Sequence, residues 1–198
     1  MHLTTAFTIL TSTAASVSAA ALTPKGTAAE ATDGKFNLRA LRPGGPIDMK
    51  FINASKDKLW LSLPEDKHDE QCNGGELTAG AAVLFVQDQQ LFLYGGETDS
   101  HQQVAIDLSP EGHGRLLYFN ELNGKPNPRA EIYGWSTPSD GQLLASQYGN
   151  FLACAEDDGT YSVYVTRETP GADLKCFQFD ATAVSQSNAV PCTYSSEV

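Results

Sequence analysis

Groups able to move protons are sparse along these 198 residues: four histidines (His2, His68, His101 and His113) and 24 carboxylates. Histidine is the side chain whose charge changes near neutrality, so a nucleophilic hydrolase would be built around one of the four. The sequence places none of them for that task. It holds no G-x-S-x-G elbow, His2 lies in the N-terminal leader, and His101 and His113 fall in the polar turn segments 98–103 and 110–114, where a solvated imidazole is expected. Cys72-Asn73-Gly74-Gly75 lacks the surroundings of a thiolate nucleophile and reads as a disulfide cysteine followed by a turn.

Paired carboxylates are the better catalytic case, since glycoside hydrolysis needs two of them about 5 Å apart, or roughly 6.5–9.5 Å for inversion. Asp107 lies within an apolar segment and Glu131 precedes another, which makes them the acids least like loop residues. The competing role for Asp107 is that of a strand-end acceptor for backbone N–H groups. Glu156, Asp157 and Asp158 stand before Gly159 and form a turn. His68, Asp69 and Glu70 are consecutive, and consecutive side chains rarely converge on one ion, so residues 65–70 read as a solvated acidic loop. Asp157-Asp158-Gly159 lacks the alternating ligands of a calcium loop. No catalytic set, metal or cofactor is expected.

Sugar binding needs an exposed ring beside hydrogen-bonding groups. Trp60, Tyr94, Tyr133, Trp135 and Tyr148 are the available rings; Trp60 and Trp135 lie on apolar segments and compete for the core, while Tyr148 sits in the polar turn 146–150. Tyr148 and Trp60 are the candidate carbohydrate contacts. Asn53-Ala54-Ser55 is an N-glycosylation acceptor at a strand end, from which a glycan would project.

Positioning falls to short strands. Residues 1–19 carry no charged side chain besides His2 and end Val17-Ser18-Ala19, the pattern of a secretory signal peptide cleaved after Ala19. Residues 20–35 form a flexible, Ala/Thr/Gly-rich lead-in, and residues 36–198 a single domain. Twelve strands are expected, at 36–41, 47–52, 59–63, 82–86, 91–94, 104–108, 116–119, 132–135, 142–145, 151–155, 161–165 and 174–179, with an irregular tail after them. Three stretches share one outline, an aromatic, a polar turn and a leucine-bearing strand: Phe51 to Leu61, Phe85 to Leu93 and Trp135 to Leu143. The fold class is therefore all-β, a β-trefoil-like barrel, with a β-sandwich as the alternative.

The even cysteine count of an exported chain points to two disulfides among Cys72, Cys154, Cys176 and Cys192. Of the three pairings, chain spacing favours Cys176–Cys192, closing a short C-terminal loop, and Cys72–Cys154. The formal net charge of −11 would repel a phosphate backbone, so nucleic acid is not an expected partner. No segment approaches the roughly 18 apolar residues of a membrane span.

The order of motifs resembles a known family, the secreted fungal cell wall proteins associated with phialide and conidium development (PhiA-like proteins). The matching pieces are Phe36-Asn37-Leu38-Arg39-Ala40-Leu41-Arg42, Phe85-Val86-Gln87-Asp88 running into Leu91-Phe92-Leu93-Tyr94, Val104-Ala105-Ile106-Asp107, Gly134-Trp135-Ser136, Phe151-Leu152-Ala153-Cys154 and Pro191-Cys192-Thr193-Tyr194. The chain departs from the family in its acidic 65–70 loop and its longer lead-in. The resemblance implies a secreted, often glycosylated wall protein without established catalytic activity, some relatives being IgE-binding or elicitors of plant defence. The expected function is thus a non-enzymatic wall or matrix component that binds wall polysaccharide or wall protein. A secreted effector recognised by a host protein, and a wall-active glycoside hydrolase, are the alternatives.

Overall fold

The computed structural model describes residues 34–74, 80–95, 101–120, 124–137, 145–167 and 174–196; the expected signal peptide, nearly all of the lead-in, and residues 142–144 of one expected strand lie outside these. In chain order come β1 (Lys35–Leu41), β2 (Ile52–Ser55), β3 (Lys58–Leu61), a one-turn 3-10 helix (Glu65–Lys67), β4 (Gln71–Cys72), β5 (Val83–Gln87), β6 (Gln90–Leu93) and β7 (Gln102–Asp107). Then follow β8 (Arg115–Asn120), β9 (Ala130–Glu131), β10 (Trp135–Ser136), β11 (Ala145–Ser146), β12 (Asn150–Ala155), β13 (Tyr161–Thr166), β14 (Cys176–Ser185) and β15 (Cys192–Thr193). Among the described residues no helix is long and apolar enough to cross a membrane.

Tight turns make the hairpins. Lys56-Asp57 joins β2 to β3 with φ of 50° and 60°, and Asp88-Gln89 joins β5 to β6 with φ of 50° and 62°. Two left-handed central residues are the mark of the turn whose twist matches antiparallel strands. Side chains then alternate across each strand. In β3, Leu59 and Leu61 are buried while Lys58 and Trp60 face outward, so strand register alone keeps the indole at the surface.

Three hairpins, β2–β3, β7–β8 and β12–β13, cap the molecule. Their second strands pair with one another in a triangle: β3 with β8, β3 with β13, and β13 with β8. A second contact also recurs three times, between the first strand of each cap and the segment that follows the cap. The Ala82 amide donates to Ile52 O (2.9 Å), Ile106 stands opposite Glu131, and Phe151 stands opposite Phe179. The other strands of the large sheet form its wall, β1 pairing with β5 and β14, and β5 with β6. Eleven strands thereby join one antiparallel network that closes on itself where β7 pairs with β8, and β4–β15 and β10–β11 are separate two-stranded sheets. The core inside it takes Leu38, Ile47, Leu59, Leu84, Leu93, Ile106, Trp135 and Val163, among others.

Several expectations need correction. The three look-alike stretches are not equivalent: Phe51 to Leu61 is a cap hairpin, whereas Phe85 to Leu93 is a wall hairpin, and Trp135 opens the separate β10–β11 pair. Similar turn chemistry had made two kinds of hairpin look alike. The expected strand at 47–52 is a turn until Ile52, tied by Arg42 N donating to Asp48 Oδ1 (2.9 Å) and Met49 N donating to Ala40 O (2.8 Å). Ile47 is apolar because it is fully buried, not because it is extended. The tail is ordered too. Cys192 and Thr193 pair with Cys72 and Gln71, and Tyr194 is 2% exposed.

The disulfides are Cys72–Cys192 and Cys154–Cys176, replacing the expected Cys72–Cys154 and Cys176–Cys192. Strand register decides this. Cys154 stands directly opposite Cys176 across β12 and β14, and Cys192 opposite Cys72 across β15 and β4. β14 then runs ten residues away from Cys176, roughly 30 Å at strand rise, before the chain returns to Cys192. Asn53 likewise differs from expectation. It is 5% exposed and its Nδ2 donates to Gly80 O (2.9 Å), a strand residue securing a neighbouring loop. Intact-mass analysis of the secreted protein is expected to find Asn53 unmodified; a glycan-bearing Asn53 peptide would overturn that prediction.

Candidate functional site

Trp60 lies on the wall of a groove of about 290 Å³ where the β2–β3 turn, the 3-10 helix and the β12–β13 turn converge. Its outward position follows from the alternation of β3. The half-buried indole is fixed at one edge, Nε1 donating to Ser55 O (2.9 Å), while Lys58 Nζ lies 5.9 Å from the ring centroid. Opposite, Lys67 forms an ion pair with Asp158, whose Oδ1 also accepts from Thr160 N (3.0 Å) and Thr160 Oγ1 (2.6 Å). The hydrogen bond from Lys67, seconded by those from Thr160, holds the Asp158 carboxyl well below the usual carboxylate range. A carboxylate so held ionised accepts hydrogen bonds and cannot serve as a general acid at neutral pH. The groove can therefore stack a ring on the indole and bond its hydroxyls, but it offers no paired acid and base.

A larger cleft of about 630 Å³ lies on the other side of Leu63, bounded in part by Phe51, Glu65, His68 and Glu70. His68 Nε2 is 3.1 Å from Leu63 O, and Nδ1 is 3.8 Å from Glu70 Oε1. Asp69 turns the other way: its Oδ2 accepts from Ser55 Oγ and Ser195 Oγ, each at 2.5 Å. The three consecutive residues thus diverge. The segment is also less solvated than expected, with Glu65 and Asp66 exposed but His68, Asp69 and Glu70 half-buried among partners. Among the described residues no group of three or more His, Cys, Asp or Glu could hold a metal ion.

The two carboxylates best suited to glycoside hydrolysis have backbone work instead. Asp107 Oδ1 accepts from Ser109 N (2.9 Å) and Asn127 Nδ2 (3.0 Å); Glu131 Oε1 accepts from Ile132 N (3.0 Å) and Tyr133 N (3.2 Å). His113 is exposed as expected, whereas His101 is wedged edge-on against Phe85 at 4.9 Å with Nδ1 3.1 Å from Gly95 O. Of the candidate rings, Trp135 is core, at 1% exposure, and Tyr94 lies under Lys35 Nζ at 4.2 Å. Tyr148 is not the open ring its turn suggested. It is half-buried against the core, its hydroxyl accepting from Gln147 Nε2 (3.0 Å), and it lines neither cleft. Tyr133 is the ring left exposed, at 49%. Asp158 and Thr160 join Trp60 and Lys67 through the fold rather than through local pattern, Lys67 and Asp158 being 91 residues apart. Only the polar turn at 156–159, opposite an outward tryptophan, hinted at them.

Comparison with known proteins agrees with this scaffold. A family profile described as PhiA-like secreted protein matches residues 36–195. A relative from Emericella nidulans, named cell wall protein phiA, is 32% identical over 191 residues, covering 94% of this chain and 99% of the relative. Another of that name, from Arthroderma benhamiae, is 26% identical over 165 residues, covering 80% and 86% respectively. No solved structure matches.

Proposed function

The chain belongs to the PhiA-like secreted protein family, and from that membership we propose that this secreted cell wall protein acts without catalysis, holding wall polysaccharide at the Trp60 groove. Conidium and phialide development would depend on the scaffold it supplies there. The observation that carries the reading is the outward, edge-anchored indole of Trp60 beside the exposed Lys67–Asp158 pair, which Thr160 orients. An aromatic face with its rim already oriented can stack on a sugar ring at little ordering cost. The non-catalytic part of the proposal draws support from Asp107 and Glu131, whose carboxylates are engaged in holding turns.

The test is co-sedimentation of the purified protein with insoluble chitin, β-glucan and washed fungal wall, with released sugars assayed alongside. Retention on washed wall without sugar release is expected, and Trp60→Ala is expected to weaken it roughly 30-fold, as loss of an anchoring tryptophan of about 2 kcal/mol would. Sugar release that survives Asp107→Asn would point to a hydrolase with other residues. Absence of retention on every wall fraction would remove the binding role and favour a soluble effector met by a host protein at exposed Glu65 and Asp66.

A further inference from the structure

Charge in the Trp60 groove runs against the charge of the molecule. The chain carries 13 Lys and Arg against 24 Asp and Glu, a net −11. Yet the groove is lined by Lys56, Lys58 and Lys67 against the single carboxylate of Asp158. Asp57, Asp66 and Asp157 neighbour these residues in sequence without lining it. Lys67 is spent on Asp158, so the unbalanced cations are Lys56 and Lys58. Lys56 is exposed, raised on the left-handed turn of the β2–β3 hairpin, and Lys58 stands over the indole. A locally positive groove in a negative field has a specific chemical meaning. Neutral glycans gain nothing from it, and an anion feels it strongly only at close range, because the global charge opposes long-range approach.

We propose that the groove takes an anionic sugar, a pyranose bearing a carboxylate or a phosphodiester, rather than a neutral glucan or chitin. The ring lies on Trp60, the anion is met by Lys56 and Lys58, and the Lys67–Asp158 pair, braced by Thr160, closes the far wall. Its volume of about 290 Å³ sits at the lower end of the roughly 300–1,000 Å³ range of ligand sites, so the groove recognises one decorated residue of a chain, not a long segment. This rests on the polysaccharide-holding role proposed above and names the ligand class of the same site.

The experiment compares binding of the secreted protein to phosphomannan, polygalacturonate and the neutral glucan laminarin, between about 10 mM and 1 M salt, where the screening length shrinks from about 30 Å to about 3 Å. Retention on phosphomannan or polygalacturonate that falls at least about tenfold over that range is expected, as is a further loss of about tenfold in the double variant Lys56→Glu/Lys58→Glu. Whichever of the two polymers is retained identifies phosphodiester or carboxylate as the anion. Lys56 lies on the exposed turn and Lys58 opens β3 half-buried, and circular dichroism reports whether the variant is folded; Lys56→Gln/Lys58→Gln supplies a milder second variant. Salt-independent, Trp60-dependent binding to laminarin, or unchanged binding of both lysine variants to the anionic polymers, would overturn the proposal while leaving polysaccharide binding intact. Failure on all three polymers and on whole wall would overturn both.

Discussion

Replacing Cys72 and Cys192 together by serine is expected to lower the unfolding free energy by about 4–5 kcal/mol, the chain-entropy value for a loop of this length. The bridge spans 120 residues, against 22 for Cys154–Cys176, for which the same reasoning gives about 3 kcal/mol. For a domain of this size the first loss corresponds to a fall in Tm of roughly 10–20 °C. The effect extends beyond entropy, because Cys192 anchors a tail whose side chains are structural. Gln102 bonds both sides of the Tyr194 backbone, Nε2 donating to Tyr194 O (2.8 Å) and Tyr194 N donating to Gln102 Oε1 (2.9 Å). Ser195 Oγ donates to Asp69, and Tyr118 Oη donates to Ser195 O. Gly95 lies so close beneath Cys192 that any side chain would collide with its backbone, which shows how tightly the tail is laid down. Thermal melts of the two double variants decide the matter. A larger drop for Cys154/Cys176 than for Cys72/Cys192 would mean that the tail contributes little.

Stability is also expected to collapse in alkali. Tyr118 and Tyr194 pack edge to face at 6.3 Å, and burial, the largest cause for each, pushes both phenols well above the ordinary tyrosine value. At Tyr118 the nearby Asp69 carboxylate adds to this. Below about pH 10 both phenols are protonated in the folded and unfolded chains alike, so they leave stability flat. Above it the unfolded chain releases protons that the folded chain keeps, and stability must fall as pH rises. Each group then costs about 1.4 kcal/mol per pH unit, or about 2.7 kcal/mol for the pair. Tyr118→Phe removes one of them and should halve the slope. It also loses the hydrogen bond to Ser195 O, about 1 kcal/mol at neutral pH. Urea titrations between pH 9 and 11 that gave parallel slopes for the two proteins would refute this account.

Both expectations concern the tail, which the sequence concealed. Strands announced themselves where a short apolar run followed a polar pair marking the turn, as at Leu59 to Leu61 after Lys56-Asp57 and at Leu91 to Leu93 after Asp88-Gln89. β15 has two residues, no period to display, and a partner 120 positions earlier. Cysteine pairing was hidden for the same reason, since it follows register across strands and not distance along the chain. Trp60 was recognisable as a candidate ring, but its outward direction depended on the parity of β3. Tyr148 misled because a polar turn does not say which way its aromatic points; here the ring folds back onto the core. The groove's lysines were individually ordinary, and only folding gathered them.

The way the two flanks of the domain are fastened sets how it would carry tension. β1 and β14 run antiparallel with Phe36 opposite Ser185, so a pull on the N-terminal side opens their rungs singly, beginning at that pair. A pull on the C-terminal side never reaches that seam: it passes from Cys192 through sulfur to Cys72 and into the loop beneath the β2–β3 cap. Pulled from both flanks, the domain would behave as a fastening with one covalent eyelet and one that unzips.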